Sequence, residues 1–185
     1  MSLEQDREKL KKILQDVSVR KGREFTLASG KKSTVYVDAR LTTLRAEAMP
    51  LIGRLFLAKM AERGWKPAAV GGLTMGADPV VAAIAHESLN TPHVVNAFIV
   101  RKEAKKHGMQ RQIEGLGECD AIDVVVVEDV ATTGGSAAQA IEACRAGGLN
   151  VLGAISLVDR EEGAAQRITG ELGCAFDRIF RLLEL

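Results

Sequence analysis

The sequence is poor in the features that mark special classes of protein. Cysteine is scarce, with three among 185 residues. Cys119, Cys144 and Cys174 are odd in number and far apart. They offer no CxxC pair for zinc and no even set for a disulfide framework. They read as small buried apolar residues in a reducing compartment. An excess of one charge is also missing. With 25 basic and 24 acidic residues the formal net charge is +1. That balance gives no global attraction to nucleic acid or to an anionic membrane. No apolar run reaches the roughly 18 residues of a membrane span. The stretch "MSLEQDREKLKK" is charged and lacks the apolar centre of a signal peptide. Internal repeats, low-complexity tracts and long linkers are absent. The expectation is a single soluble domain of the cytoplasm.

What is present fits a folded domain. Hydrophobic residues make up 46% and charged residues 26%, enough for a sizeable core. Residues 4–16 place Leu10, Ile13, Leu14 and Val17 at helical spacing. Residues 24–27 and 34–38 read as short strands around a turn at "SGKK". Over 46–64, Met49, Ile52, Leu55, Phe56 and Met60 share one helical face, and Gly64 is a natural stop. Strands and helices then alternate. Strands are predicted at 68–72, 93–100, 123–128, 150–159 and the C-terminal "RIFRLLEL"; helices are predicted at 77–89, 135–146 and 161–170. Unbroken apolar strands such as "VVVV" are covered on both faces, the mark of a mostly parallel sheet. In such sheets ligands sit beyond the carboxyl ends of the strands.

One strand end stands out. "DVVVVEDVATTGGSAAQAI" (123–141) runs from valines into Glu128 and Asp129, then into Thr132, Thr133, Gly134, Gly135 and Ser136 at the start of a helix. Glycines let backbone N–H groups crowd round an anion, and the helix N-terminus adds partial positive charge. No Gly-Lys-Ser/Thr follows, so this is not a Walker loop, and GxGxxG is absent. The two acids discriminate further. Beside a phosphate cup they would repel the ligand unless its sugar hydroxyls or a hydrated Mg²⁺ intervened. The plainer alternative is a turn in which Asp129 and the threonines merely cap a helix.

"VVVVEDVATTGG" resembles the phosphoribosyl-pyrophosphate (PRPP) signature of type I phosphoribosyltransferases. The resemblance implies an α/β fold with a mostly parallel central sheet flanked by helices and a small N-terminal hood. Residues 1–45 would form the hood and 46–185 the core of one domain. Glu128 and Asp129 would hold the ribose hydroxyls. The loop through Val130, Ala131, Thr132, Thr133, Gly134, Gly135 and Ser136 would hold the 5′-phosphate. A second segment, "FTLASGKKSTVYVDAR" (25–40), matches the F-x-L-x-S-G-x-x-S-x-x-Y-x-D-x-R pattern of orotate phosphoribosyltransferases at Phe25, Leu27, Ser29, Gly30, Ser33, Tyr36, Asp38 and Arg40. Gly30 would make the turn. Backbone groups at Tyr36 and Val37 could read the edges of a planar base, with Thr132 nearby. The plain alternative is an ordinary hairpin with a buried tyrosine.

"VRKEAKKHGMQRQIEG" (100–115) resembles the mobile loop of the same enzymes. Arg101, Lys102 and Lys105 could neutralise a departing pyrophosphate, and His107 can donate a proton or hydrogen bond; Lys106 and Arg111 add charge. The alternative is a solvated charged helix face. In the family this loop reaches into the neighbouring subunit, so segment 101–115 of a homodimer would act in trans. "GGLTMGADP" (71–79) suits a pyrophosphate loop through Thr74, Met75 and Gly76. Arg160, past a strand end, would meet the orotate carboxylate or a neighbouring carbonyl; the alternative is a salt bridge with Glu161 or Glu162. Mg²⁺ would be bound mainly through PRPP, with no direct protein ligand.

Three departures from the family pattern are visible. Ala28 and Met75 stand where some members carry lysine, and Glu128 replaces the commoner aspartate. The implied reaction converts orotate and PRPP to orotidine 5′-monophosphate and pyrophosphate, a step of pyrimidine (UMP) synthesis, with neither nucleic acid nor membrane as partner. Two rivals are a phosphoribosyltransferase for another base and a non-catalytic PRPP-sensing regulator.

Overall fold

The computed structural model describes residues 2–26, 32–103, 112–117 and 121–185. Helix α1 (Leu3–Ile13) starts at a capping box, with the Gln5 N–H donating to Ser2 Oγ at 3.3 Å and the Ser2 N–H to Gln5 Oε1 at 3.0 Å. This satisfies donors that a helix start leaves free. The chain continues through a π-turn (Leu14–Ser18) into β1 (Val19–Thr26), which pairs antiparallel with β2 (Lys32–Val37). These two strands form a separate small sheet, the hood expected at this end, with Phe25 stacked on Tyr36. The strands are longer than the 24–27 and 34–38 expected. Leu27, Ala28, Ser29 and Gly30 lie outside the described residues.

A short helix α2 (Arg40–Thr43) and the long α3 (Met49–Glu62) lead into the main sheet. There β3 (Ala69–Leu73), α4 (Asp78–Ser88), β4 (Asn96–Val100), β5 (Ile113–Glu114), β6 (Asp123–Ala131), α5 (Gly135–Ala146), β7 (Asn150–Asp159), the short α6 (Ala164–Gln166) and β8 (Phe176–Arg181) follow in turn. Strand order is β5-β4-β3-β6-β7-β8, parallel throughout except for the β4–β5 pair. The expected alternation is met. The helix expected over 161–170 is instead α6 followed by a π-turn (Arg167–Glu171).

The valines explain why the sheet is central. Val124 and Val126 pack with α5, while Val125 and Val127 join the core under α1, α3 and α4. All four are at most 1% exposed. A strand apolar at every position belongs between two layers. Cys144 and Cys174 are free and buried, as small apolar residues would be; Cys119 lies outside the described residues. Among the described residues no helix is long and apolar enough to cross a membrane.

Behind the sheet, α1, α3 and α4 are tied by one ionic cluster. Arg54 donates to both oxygens of Asp6, at 2.6 and 3.1 Å, and reaches Glu87 at 3.4 Å. Asp6 and Glu87 are buried. Replacing Arg54 by alanine leaves two buried carboxylates without their cation. The expected result is a loss of about 3 kcal/mol in unfolding free energy, read as a lower urea midpoint at unchanged slope.

Candidate active site

Strand β6 does not stop where its apolar run stops. It continues through the acids to Ala131, with Glu128 opposite Ser156, Val130 opposite Val158 and Ala131 opposite Asp159 on β7. Side chains alternate along a strand. Glu128 therefore faces α5 and Asp129 faces the loop after β3. That loop comes close: a Cβ on Gly76 would lie 2.4 Å from Asp129 Oδ1, so a side chain there would push the carboxylate aside. Asp129 Oδ1 accepts from the Val130 N–H at 2.8 Å.

The two acids resist ionisation to different degrees. Burial pushes the Glu128 carboxyl up to about 8, and the neighbouring Asp129 charge pushes the same way. The Ser136 hydroxyl and the Ala137 N–H pull it down only in part. Glu128 Oε2 stays buried without a hydrogen-bond partner. Burial also raises Asp129, opposed by its own backbone contacts and by the positive charge of Arg40.

After β6 the chain turns through Thr132, Thr133 and Gly134. Gly134 has φ of 75°, a left-handed conformation that favours glycine, and it opens α5 without any side-chain cap. The capping alternative is thus not what the chain does. Ser136 and Thr133 are exposed, and the first N–H groups of α5 have no partners within the helix. Such a turn suits an anion.

A cavity of about 400 Å³ opens above the carboxyl ends of β3 and β6. Its wall brings together Tyr36 and Val37 of the hood, Thr74, Met75 and Gly76 after β3, Glu128, Asp129 and Val130 of β6, Ser136 of α5, and Lys102. Lys102 is fixed by its carbonyl, which accepts from Gln139 Nε2 at 2.7 Å. Met75, where a lysine was noted as missing, is 70% exposed. Among the described residues no cluster of three or more His, Cys, Asp or Glu side chains is arranged for a metal ion.

Other expected site residues lie off this wall. Ala131 is buried at the end of β6, and Thr132, Thr133, Gly134 and Gly135 form the turn beside the cavity. Arg101 is tied back, its N–H donating to the Gln112 carbonyl at 2.8 Å and its guanidinium 3.7 Å from Glu114. Arg160 does not reach the wall either. Its Nε donates to Glu162 Oε1 at 2.8 Å and one Nη to the Val35 carbonyl at 3.3 Å. The pair with Glu162 is present, on a buried rather than a surface arginine, together with a link to the hood. Lys105, Lys106, His107 and Arg111 lie outside the described residues.

Two charged residues on the wall carried no role in the sequence reading. Asp38 and Arg40 line the cavity and form a two-pronged pair at 2.9 and 3.2 Å. Both belonged to the matched hood pattern. Nothing in their spacing says that the chain leaves β2 there and turns into α2 beside Asp129.

A parallel sheet, a glycine turn beyond its central strand, two acids before that turn and a hood over them define a type I phosphoribosyltransferase. No protein-family model matches the chain, but individual relatives do. It is 45% identical to the orotate phosphoribosyltransferase of Aquifex aeolicus, covering 97% of both chains. Its structure resembles that of a Corynebacterium diphtheriae phosphoribosyltransferase, with TM-score 0.84 and 40% identity over 98% of each chain. It also resembles Mycobacterium tuberculosis orotate phosphoribosyltransferase in complex with PRPP, with TM-score 0.80 and 39% identity over 97% of this chain and 98% of that one. The chain belongs to the orotate phosphoribosyltransferase family.

The contact between Gly76 and Asp129 gives a direct test. Gly76→Ala should displace the carboxylate and weaken PRPP binding by about tenfold or more, equivalent to roughly 1.4 kcal/mol, in a calorimetric titration. Wild-type affinity in that variant would mean that Asp129 does not face the ligand.

Proposed function

We propose that this cavity transfers the phosphoribosyl group of PRPP to orotate, giving orotidine 5′-monophosphate and pyrophosphate in pyrimidine synthesis. The observation that supports it most is the joining of the acidic strand end, the Gly76 loop and the Tyr36 hood on one cavity of about 400 Å³. The rival base specificities and the regulator reading lose ground to the near full-length identity with orotate enzymes.

In this reading Asp129 and Glu128 accept hydrogen bonds from the ribose hydroxyls. The amides and hydroxyls from Thr132 to Ser136 cradle the 5′-phosphate. Thr74, Met75 and Gly76 line the diphosphate side by backbone. Orotate lies under Tyr36 and Val37 with Thr132 beside it, and Arg160 turns from Glu162 to meet its carboxylate or a neighbouring carbonyl. The anomeric bond breaks to leave a cationic ribosyl centre, and the diphosphate leaves with added negative charge. Lys102 on the wall and Arg101, Lys105 and His107 of segment 101–115 offset that charge. Mg²⁺, when bound, supplies further positive charge to the diphosphate. The cavity suits it in that Thr74, Asp38, Glu128 and Asp129 put oxygen donors, the ligand type Mg²⁺ prefers, on the described wall. With no cluster of protein ligands among the described residues, the donor's own oxygens would hold the ion. N1 of orotate forms the new bond to the anomeric carbon as the diphosphate leaves, and the N1 proton passes to the departing diphosphate or to water. We also place the enzyme in the cytoplasm, as a homodimer in which Lys102 stays on its own wall and the rest of segment 101–115 serves the neighbouring site.

Loss of orotate absorbance should require both PRPP and Mg²⁺; consumption without PRPP would overturn the assignment. Lys105→Ala should lower turnover by about 10²-fold or more, the scale for one donor aimed at developing charge. Asp129→Ala should chiefly weaken PRPP binding. Mixed together, these two variants test the action in trans. A hybrid dimer then holds one intact site, and random reassortment should restore about a quarter of the wild-type rate. No recovery after confirmed reassortment would place the segment in its own subunit's site.

A further inference from the structure

On the face of the sheet covered by α5, β6 and β7 present matched rows. Val126 stands opposite Ala154, and the next pair on that face is Glu128 opposite Ser156. Val126 and Ala154 belong to the apolar core beneath α5. The row thus changes from apolar to polar one step before the cavity. Ser156 is 0% exposed, and its hydroxyl has no hydrogen-bond partner. Glu128 Oε2, at the facing position, has none either. Buried polar groups are rarely left this way without a reason. Packing does not ask for the hydroxyl, since alanine fills the same face two residues earlier. Facing positions of neighbouring strands are about 5 Å apart, and the glutamate side chain spans that gap by a change of rotamer.

We propose that Ser156 is a positioning residue for Glu128, its hydroxyl being the adjustable partner that holds the carboxyl in aim at the donor's ribose. The inference rests on the PRPP reading of the cavity. Serine suits the task because its hydroxyl both donates and accepts. It can accept from the carboxyl proton while the site is empty and donate to the carboxylate once a ribose hydroxyl has bound. Alanine could do neither.

The charges around Glu128 favour such a change of state. Asp129 on its own strand and Asp159 on β7 both oppose its ionisation. Asp159 is itself bound by Arg178 at 2.5 Å. The first turn of α5 carries no acidic residue, and offers only the Ser136 hydroxyl and the Ala137 N–H. Lys102 lies on the cavity wall, and Arg40 and Asp38 act on Asp129. With burial holding Glu128 up to about 8, its carboxyl is mostly protonated at pH 7 while the site is empty. Accepting a ribose hydroxyl requires the carboxylate, so binding releases a proton. Affinity for PRPP should rise with pH and level off above about 8.

The test is calorimetric titration of PRPP between pH 6 and 9, in two buffers of different ionisation enthalpy. Wild-type protein should release a proton on binding at pH 7. Ser156→Ala should bind PRPP about tenfold more weakly and shift the pH midpoint upward, because the charged form loses the stronger hydrogen bond. KM for PRPP should rise while KM for orotate stays put. In a Glu128→Ala background the serine change should add no further loss. Equal losses in both backgrounds, or a wild-type midpoint and affinity in Ser156→Ala, would overturn the proposal. If Ser156→Ala fails to fold, Ser156→Cys, similar in size and a weak donor, is read by the same criteria. Wild-type protein that binds no PRPP would sink the donor site itself. Binding that ignores Ser156 would sink only its role.

Discussion

The desolvation of two adjacent carboxylates is the constraint on which the site depends. Water is the cheapest partner for a carboxylate, and the end of β6 withholds most of it from Glu128 and Asp129. They are neighbours in sequence, yet strand alternation turns them to opposite faces of the sheet. One meets the first turn of α5, the other the Gly76 loop. Each is left facing polar groups too weak to settle its charge. A ligand rich in hydroxyls supplies the missing donors, and its phosphates are received by the turn and the cations rather than by the acids. The geometry thus separates two recognitions that would otherwise repel one another.

Buried acids elsewhere show the contrast. Asp6 and Glu87 share Arg54, and Asp159 is held by Arg178. These are closed arrangements in which each charge has its counter-charge and nothing remains to offer a ligand. At the cavity the guanidinium of Arg40 is committed to Asp38 and reaches Asp129 only through its field. Acids that face a hollow with no ion-pair partner among the described residues mark the place where stability has been given up for binding. The same contrast separates the cavity from the Arg54 cluster, whose identical residue types serve the fold.

Much of this was legible in the residues. The four valines fix a strand buried on both faces, and their alternation between the α5 core and the α3–α4 core follows directly. Helix α5 and strand β7 occupy the spans that apolar periodicity assigned. The end of β6 was not legible. A polar pair looks like the close of a strand, but backbone pairing with β7 continues through it because ladder hydrogen bonds do not depend on side-chain polarity. Strand β5 is two residues long inside a cationic stretch, too short for any pattern to reveal. Arg160 and Arg40 illustrate a different limit. Local sequence places each at the right height in the fold and supplies an acid two residues away, Glu162 for one and Asp38 for the other; what it does not show is that Arg160 also reaches the Val35 carbonyl and that Arg40 lies within the field of Asp129.

Strands β6 and β7 carry more than their share of the site. The Arg160 N–H closes their ladder on the Ala131 carbonyl at 2.9 Å, and the Arg160 side chain then reaches the Val35 carbonyl on β2. The acids, the anion turn and the hood are in this way three branches of one hydrogen-bonded unit. A shift of β7 along β6 would move Ser156 relative to Glu128 and Arg160 relative to the hood together. Because a slip of one residue would send side chains fitted to the α5 core into the α3–α4 core, core packing locks the register. The precision of the site is therefore inherited from the core beneath it, and the loops add chemistry to a frame that the valines already hold.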